Sequence, residues 1–174
     1  IGTNVVAANF FGAGKTKELQ DTVHTSILVS VYSGIILTVV GVIGSKYILI
    51  LMQAPSDVLR LATLYLKIYF GGITATMVYN FGSALLRAKG DTKRPLYILF
   101  LAGVVNLILN LIFVIIFNMD VAGVATATVI SQTLAAVLVI LILIHEKDDF
   151  HLNLKKLSIN MTIFTRIVKI GLPA

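Results

Sequence analysis

The sequence predicts an all-α, polytopic membrane protein built as a bundle of transmembrane helices, and three observations carry that prediction. The first is composition. Of 174 residues, 57% are hydrophobic and only 13% charged, with a mean hydropathy of +0.96, against about 45–50% apolar and about 25% charged in a soluble domain. The second is the placement of uncharged intervals at Thr22–Ser45, Ile68–Leu86, Pro95–Met119 and Val121–His145, which are 24, 19, 25 and 25 residues long. A helix rising 1.5 Å per residue needs about 20 apolar residues to cross a hydrocarbon core about 30 Å thick, so four spans are expected. The third is the alternation of basic residues. Lys15, Lys17, Arg87, Lys89, Lys93, Arg94, Lys147, Lys155, Lys156, Arg166 and Lys169 fall after the first, third and fifth passes, and only Lys46, Arg60 and Lys67 fall on the other side. Because cytoplasmic loops are enriched in Lys and Arg, the loops at 12–17, 87–95 and 146–161 are expected in the cytoplasm and the chain in the plasma membrane.

Taken in order, residues 1–14 read as the end of an apolar helix, closed by Gly12 and Gly14, which accept the left-handed conformation common at helix C-termini. The next helix is expected over 17–52, with Thr16 as its N-cap and Glu18 and Asp21 placing negative charge in its first turn. Pro55 breaks it, Ser56 caps a further helix over 56–89, and Gly90 and Asp91 turn the chain. Pro95 suits the first turn of a helix over 93–118, "NMD" makes a short turn, and a helix follows over 120–145. Residues 146–161 form a polar, amphipathic surface linker, and 162–174 begin another helix. The chain opens on Ile1 without a basic leader and closes on a starting apolar segment, so it is expected to be a piece of a longer protein with no signal peptide.

Several function classes are excluded. "NFFGAGKTKE" looks like a phosphate-binding loop, but that motif needs a glycine where Asn9 stands, after a buried strand that "IGTNVVAANFF" does not supply. Cysteine is absent, which removes disulfides and thiolate metal sites. The net charge of +6 is distributed as membrane loops distribute it rather than as a nucleic-acid surface. Inside the spans there is no nucleophile–base pair, metal cluster or carboxylate dyad, so no catalytic residue and no metal site is expected and the protein is not an enzyme. His24, His145 and His151 lie near the cytoplasmic surface and read as solvated. Lys67 reads as reaching the headgroups.

What remains inside the spans is uncharged and polar. Asn106 and Asn110 stand at i, i+4 on one helix face, Asn80 lies mid-span, and Thr128, Ser131 and Gln132 make a comparable face. Such residues either hold helices together, aided by small neighbours such as Gly72, Gly82 and Ala127, or line a cavity where amide oxygens ligate a cation and amide N–H groups orient a substrate.

Six stretches in order carry a resemblance: "NFFGAGKTKEL", "LYLKIYFGG", "LLRAKGDTKRPLY", "VVNLILN", "VAGVATATVISQ" and "IVKIGLPA". The chain resembles the MATE family, the multidrug and toxic compound extrusion transporters, from the end of that family's second helix to the start of its seventh. The resemblance implies a partial six-helix lobe of a twelve-helix exporter. It also implies outward movement of cationic or amphipathic small molecules in exchange for Na⁺ or H⁺, with no cofactor. The partners implied are the lipid bilayer and a second lobe of the same chain. It places cation or substrate contacts at Asn80, Asn106, Asn110 and Thr128, with Gln132 on the same cavity, and loop motifs at Gly12, Gly14, Arg87, Gly90, Asp91 and Pro95. One departure matters: the position of Asn110 is commonly aspartate in that family, and an amide ligates Na⁺ but carries no proton near neutral pH. The coupling carboxylate is therefore expected on the first helix or in the second lobe. A lipid-linked saccharide flippase and a non-transporting assembly subunit are the alternatives.

Overall fold

The structure, a computed structural model, describes residues 1–53 and 55–171. Its helices are α1 (Gly2–Gly12), α2 (Thr16–Leu51), α3 (Ser56–Gly71), α4 (Ile73–Ala88), α5 (Lys93–Leu111), α6 (Asp120–His145) and α7 (Met161–Gly171), and no strand occurs among the described residues. Three helices are long and apolar enough to cross a membrane by themselves, and α3 with α4 makes a fourth span if the bent pair is one. Ile36, Val40 and Ile43 of α2 and Leu107 of α5 are all exposed, surface that acyl chains or further apolar helices can cover favourably.

The interior is lined by small side chains, as expected where helices associate without a hydrophobic difference between lipid and core. Helix α4 sits between α2 and α6. A Cβ at Gly34 would lie 2.6 Å from Thr74 Cα, and one at Gly82 would lie 2.8 Å from a methyl of Val139. Ala125, Ala127 and Ala135 are completely buried on α6. Across the α2–α4 contact, the hydroxyls of Thr38 and Thr74 bond at 3.1 Å.

Several expectations are corrected. The helix predicted over 56–89 is two helices bent by 44° at Gly71–Gly72. Gly72 has φ −95° and ψ −2°, outside the α-helical pair of angles, and the side chain of Val129 on α6 occupies the place its Cβ would take; Gly pairs are a recognised cause of kinks. The helix predicted over 93–118 leaves the α form after Leu111 and closes with a π-helical segment, Ile112–Ile116. This wider turn lays Phe113 Cβ against Gly123 of α6, within 3.0 Å of where a Cβ would stand. Asn118 and Asp120 then take positive φ, which those two residue types tolerate best.

Thr16 and Ser56 are the first helical residues rather than the caps, which are Lys15 and Pro55 with no capping side-chain bond. Gly14 takes the left-handed conformation at φ +66°, as does Gly90 at φ +91°, whereas Gly12 stays inside α1. The last predicted helix ran to residue 174; residues 172–174 lie outside the described residues.

The linker at 146–161 is more than a surface segment. Phe150 is fully buried and Leu152 nearly so; the Phe150 ring packs edge-on to Phe11 at 5.3 Å. Leu152 N–H donates to Leu143 C=O at 2.9 Å. Neither is His24 solvated: its Nδ1 lies 2.7 Å from Gln20 C=O, and its Nε2 accepts from Asn153 N–H at 3.1 Å. Asn160 completes the docking by donating to Asp21 and capping the first turn of α7.

Candidate functional site

The polar residues of α5 and α6 meet in one directed hydrogen-bond chain. Asn110 Nδ2 donates to Asn106 Oδ1 at 3.0 Å, as the i, i+4 spacing allows. Asn106 Nδ2 in turn donates to the hydroxyls of Thr128 and Ser131, each at 3.3 Å. Those hydroxyls spend their own protons on α6 carbonyls, Thr128 on Val124 and Ser131 on Thr128. The bonds that cross between the helices are therefore all donated from α5 to α6, and the chain begins at an oxygen. Asn110 Oδ1 is buried and has no hydrogen-bond partner, so the cluster presents an acceptor with nothing to accept. A buried unsatisfied carbonyl costs about 1–3 kcal/mol, and a cation or a substrate N–H would satisfy it.

A cavity of about 280 Å³ opens beside the chain, bounded by Asn106, Thr128, Ser131 and Gln132. Ala102 and Gly103 keep its α5 wall low; Gly103 has nothing within 4 Å of where a Cβ would stand. The structure thus brings together Asn106, Asn110, Thr128 and Gln132, and adds Ser131, whose i+3 offset from Thr128 was the sequence signal for its place. It does not bring Asn80 to them. Asn80 is exposed on α4 and lines a separate cavity of about 440 Å³ with Thr3 of α1, Ala84 of α4 and Ile167 of α7.

The loop motifs gather at the end of the bundle that holds the 12–17 and 87–95 turns, around an ion cluster of which spacing reveals only the Asp91–Arg94 pair at i, i+3. Lys89 pairs with Glu146 at 2.6 Å and with Asp148, while Arg94 pairs with Asp91 and with Glu146. Gly90 makes the turn that aims these groups, and Asp91 also accepts from the Arg94 N–H at 3.1 Å. Pro95 C=O accepts from the buried Tyr79 hydroxyl at 3.0 Å. Arg87 closes α4, where its charge suits the helix dipole.

Burial, the largest single influence, works to raise the Asp148 carboxyl, but the Lys89 hydrogen bond and charge together with the Phe150 N–H outweigh it and hold that carboxyl below its ordinary value. Asp91 is lowered in the same way by Arg94 against its burial, and Lys89 is raised because Asp148 and Glu146 outweigh its own desolvation. Depressed carboxyls contribute stability that is present above about pH 3.9 and lost as pH falls through their folded values. The raised lysine contributes below about pH 10.4 and loses its contribution as pH rises through its folded value. Melting of the full-length protein should therefore be lower for Lys89→Ala than for wild type near neutral pH, with the difference shrinking below about pH 4. A difference that persists unchanged in strong acid would mean the lysine acts by packing alone.

The sequence model of the MatE family matches residues 1–112. "Probable multidrug resistance protein YpnP" of Bacillus subtilis (strain 168) is 41% identical over 95 residues, covering 55% of this chain and 21% of that protein. "Probable multidrug resistance protein NorM" of Thermotoga maritima is 26% identical over 179 residues, covering 99% and 38%. Among solved structures, the inward-facing conformation of a multidrug resistance MATE family transporter of the MOP superfamily matches with a TM-score of 0.91 at 24% identity, over 99% of this chain and 40% of that one. The outward-facing conformation of such a transporter matches with a TM-score of 0.90 at 24% identity, over 99% and 38%. The chain spans well under half the length of these relatives.

Proposed function

This chain belongs to the MatE family, and on that premise we propose that it forms most of the first lobe of an antiporter that exports amphipathic or cationic compounds by alternating access, driven by Na⁺ or H⁺. In that assignment α1 is the end of the family's second helix, α2 its third, α3 with α4 its fourth, α5 its fifth, α6 its sixth and α7 the start of its seventh. The loops at 12–17, 87–95 and 146–161 face the cytoplasm, because they hold most of the basic residues.

The observation that carries the reading is the unpartnered Asn110 oxygen at the start of a fully directed hydrogen-bond chain. Asn106, Asn110, Thr128 and Gln132 form the cation or substrate element of this lobe, and Asn80 serves a second surface at α1 and α7. Amides and hydroxyls ligate Na⁺ or orient a substrate, but they exchange no proton near neutral pH. Proton coupling, where it occurs, needs a carboxylate outside this cluster. The near-equal match to inward- and outward-facing structures fits a lobe fold that persists through the cycle. The saccharide flippase alternative gains nothing from a cluster without charge.

The test is flux in vesicles containing the full-length protein. A fluorescent organic cation should move against its gradient when an opposing Na⁺ or proton gradient is imposed, and flux that ignores both gradients would overturn the antiport reading.

A further inference from the structure

Away from the amide cluster, at the other end of the bundle from the ion-paired loops, three cations share one pocket. Arg60, Thr63 and Lys67 follow one another at i, i+3 and i+7 and so stand on one face of α3. That face meets Lys46, five residues before the end of α2, and the three cations with Ser56 and Thr63 line a cavity of about 460 Å³. No carboxylate is among its described lining residues, and the ion pairs of the described residues lie at the opposite end. Cations held around one cavity repel each other, and an anion between them removes that repulsion.

We propose that this pocket binds the phosphate of an anionic phospholipid headgroup through Lys46, Arg60 and Lys67. Its depth favours a lipid over a free ion. The uncharged interval Thr22–Ser45 spans about 36 Å as helix, which places Lys46 just past the hydrocarbon core, at headgroup level. Leu59 and Leu64 line the pocket beside the cations, and at the adjoining end of α2 Tyr47, Leu51 and Met52 are each more than 70% exposed. A phosphate in the pocket would leave its acyl chains lying along these side chains. Arg60 offers a planar fork to two phosphate oxygens, and the two ammonium groups act as point charges. Thr63 already donates its proton to Leu59 C=O at 2.7 Å and so adds no donor. This site also gives a role to the three basic residues that the positive-inside rule leaves on the wrong side.

The experiment is native mass spectrometry of the full-length protein, titrated with phosphatidylglycerol, phosphatidylcholine or inorganic phosphate. Wild type should retain phosphatidylglycerol in preference to phosphatidylcholine. Each Lys→Gln or Arg→Gln change at these positions should weaken retention about fivefold, and K46Q/R60Q/K67Q about a hundredfold. K46R/K67R keeps the charges and should keep the lipid, which separates lost binding from lost folding. Equal retention of both lipids, or unchanged retention by the triple variant, would overturn the proposal. Inorganic phosphate displacing the lipid at equal concentration would overturn the lipid as ligand and leave a simple phosphate site.

Discussion

Replacing Gly72 with alanine is expected to lower the melting temperature of the full-length protein and to remove most of its transport. A Cβ on Gly72 would stand 2.5 Å and 2.8 Å from the two γ-methyls of Val129, closer than any real contact. Overpacking of this kind costs about 1–3 kcal/mol. The functional loss should exceed the loss of stability, because Val129 adjoins Thr128 on α6. Displacing α6 disturbs the bonds from Asn106 to Thr128 and Ser131, already 3.3 Å long. Val129→Ala removes both methyls, so the double variant should recover melting and export together. Gly71→Ala supplies the control, since nothing lies within 4 Å of its added methyl. A Gly72→Ala protein that melts and transports like wild type would show that the break tolerates a side chain.

The second large effect is expected at Asn106. Asn106→Leu should abolish export while leaving the amount of protein in the membrane unchanged. Asn106 joins three partners, yet two of them are secured without it, because the Thr128 and Ser131 hydroxyls are bonded to their own helix. The structural cost is confined to an orphaned Asn110 N–H, and interhelical hydrogen bonds in membranes average only about 0.6 kcal/mol. The cluster, by contrast, loses the acceptor that orients Asn110 and both donors that reach α6. Normal export from a well-expressed Asn106→Leu protein would remove the cluster from the mechanism. Thr128→Ala, which deletes one acceptor, should give a partial defect.

These two sites differ in how far they were legible. Asn106 and Asn110 declare a shared face by spacing, and Thr128, Ser131 and Gln132 do the same on α6, so both halves of the cluster were visible. That they face one another depends on the rotation of α5 against α6, which no single-helix pattern encodes. Asn80 was grouped with them by family resemblance, and α4 turns it to another surface. The 56–89 segment was read as one helix straight through "FGG", because a Gly pair bends a helix only when something presses on it, and that something is Val129, more than fifty residues away. Phe150 and Leu152 looked like half of an amphipathic linker. They are buried because α1 and α6 leave a place for them.

By itself, the sequence determined the class of solvent and the class of structure. Uncharged intervals of 19 to 25 residues admit only a membrane-crossing helix, since lipid leaves no other partner for the backbone. Spacing also determined which polar residues share a face. The tertiary structure alone decided which faces meet: the α5–α6 amide chain, the Lys89–Glu146 and Arg94–Glu146 pairs, and the three cations gathered between α2 and α3. The physical reason is range. Hydropathy and helical period act over a few turns of one chain segment, whereas a hydrogen bond or an ion pair across the bundle depends on the packing of every helix between its ends.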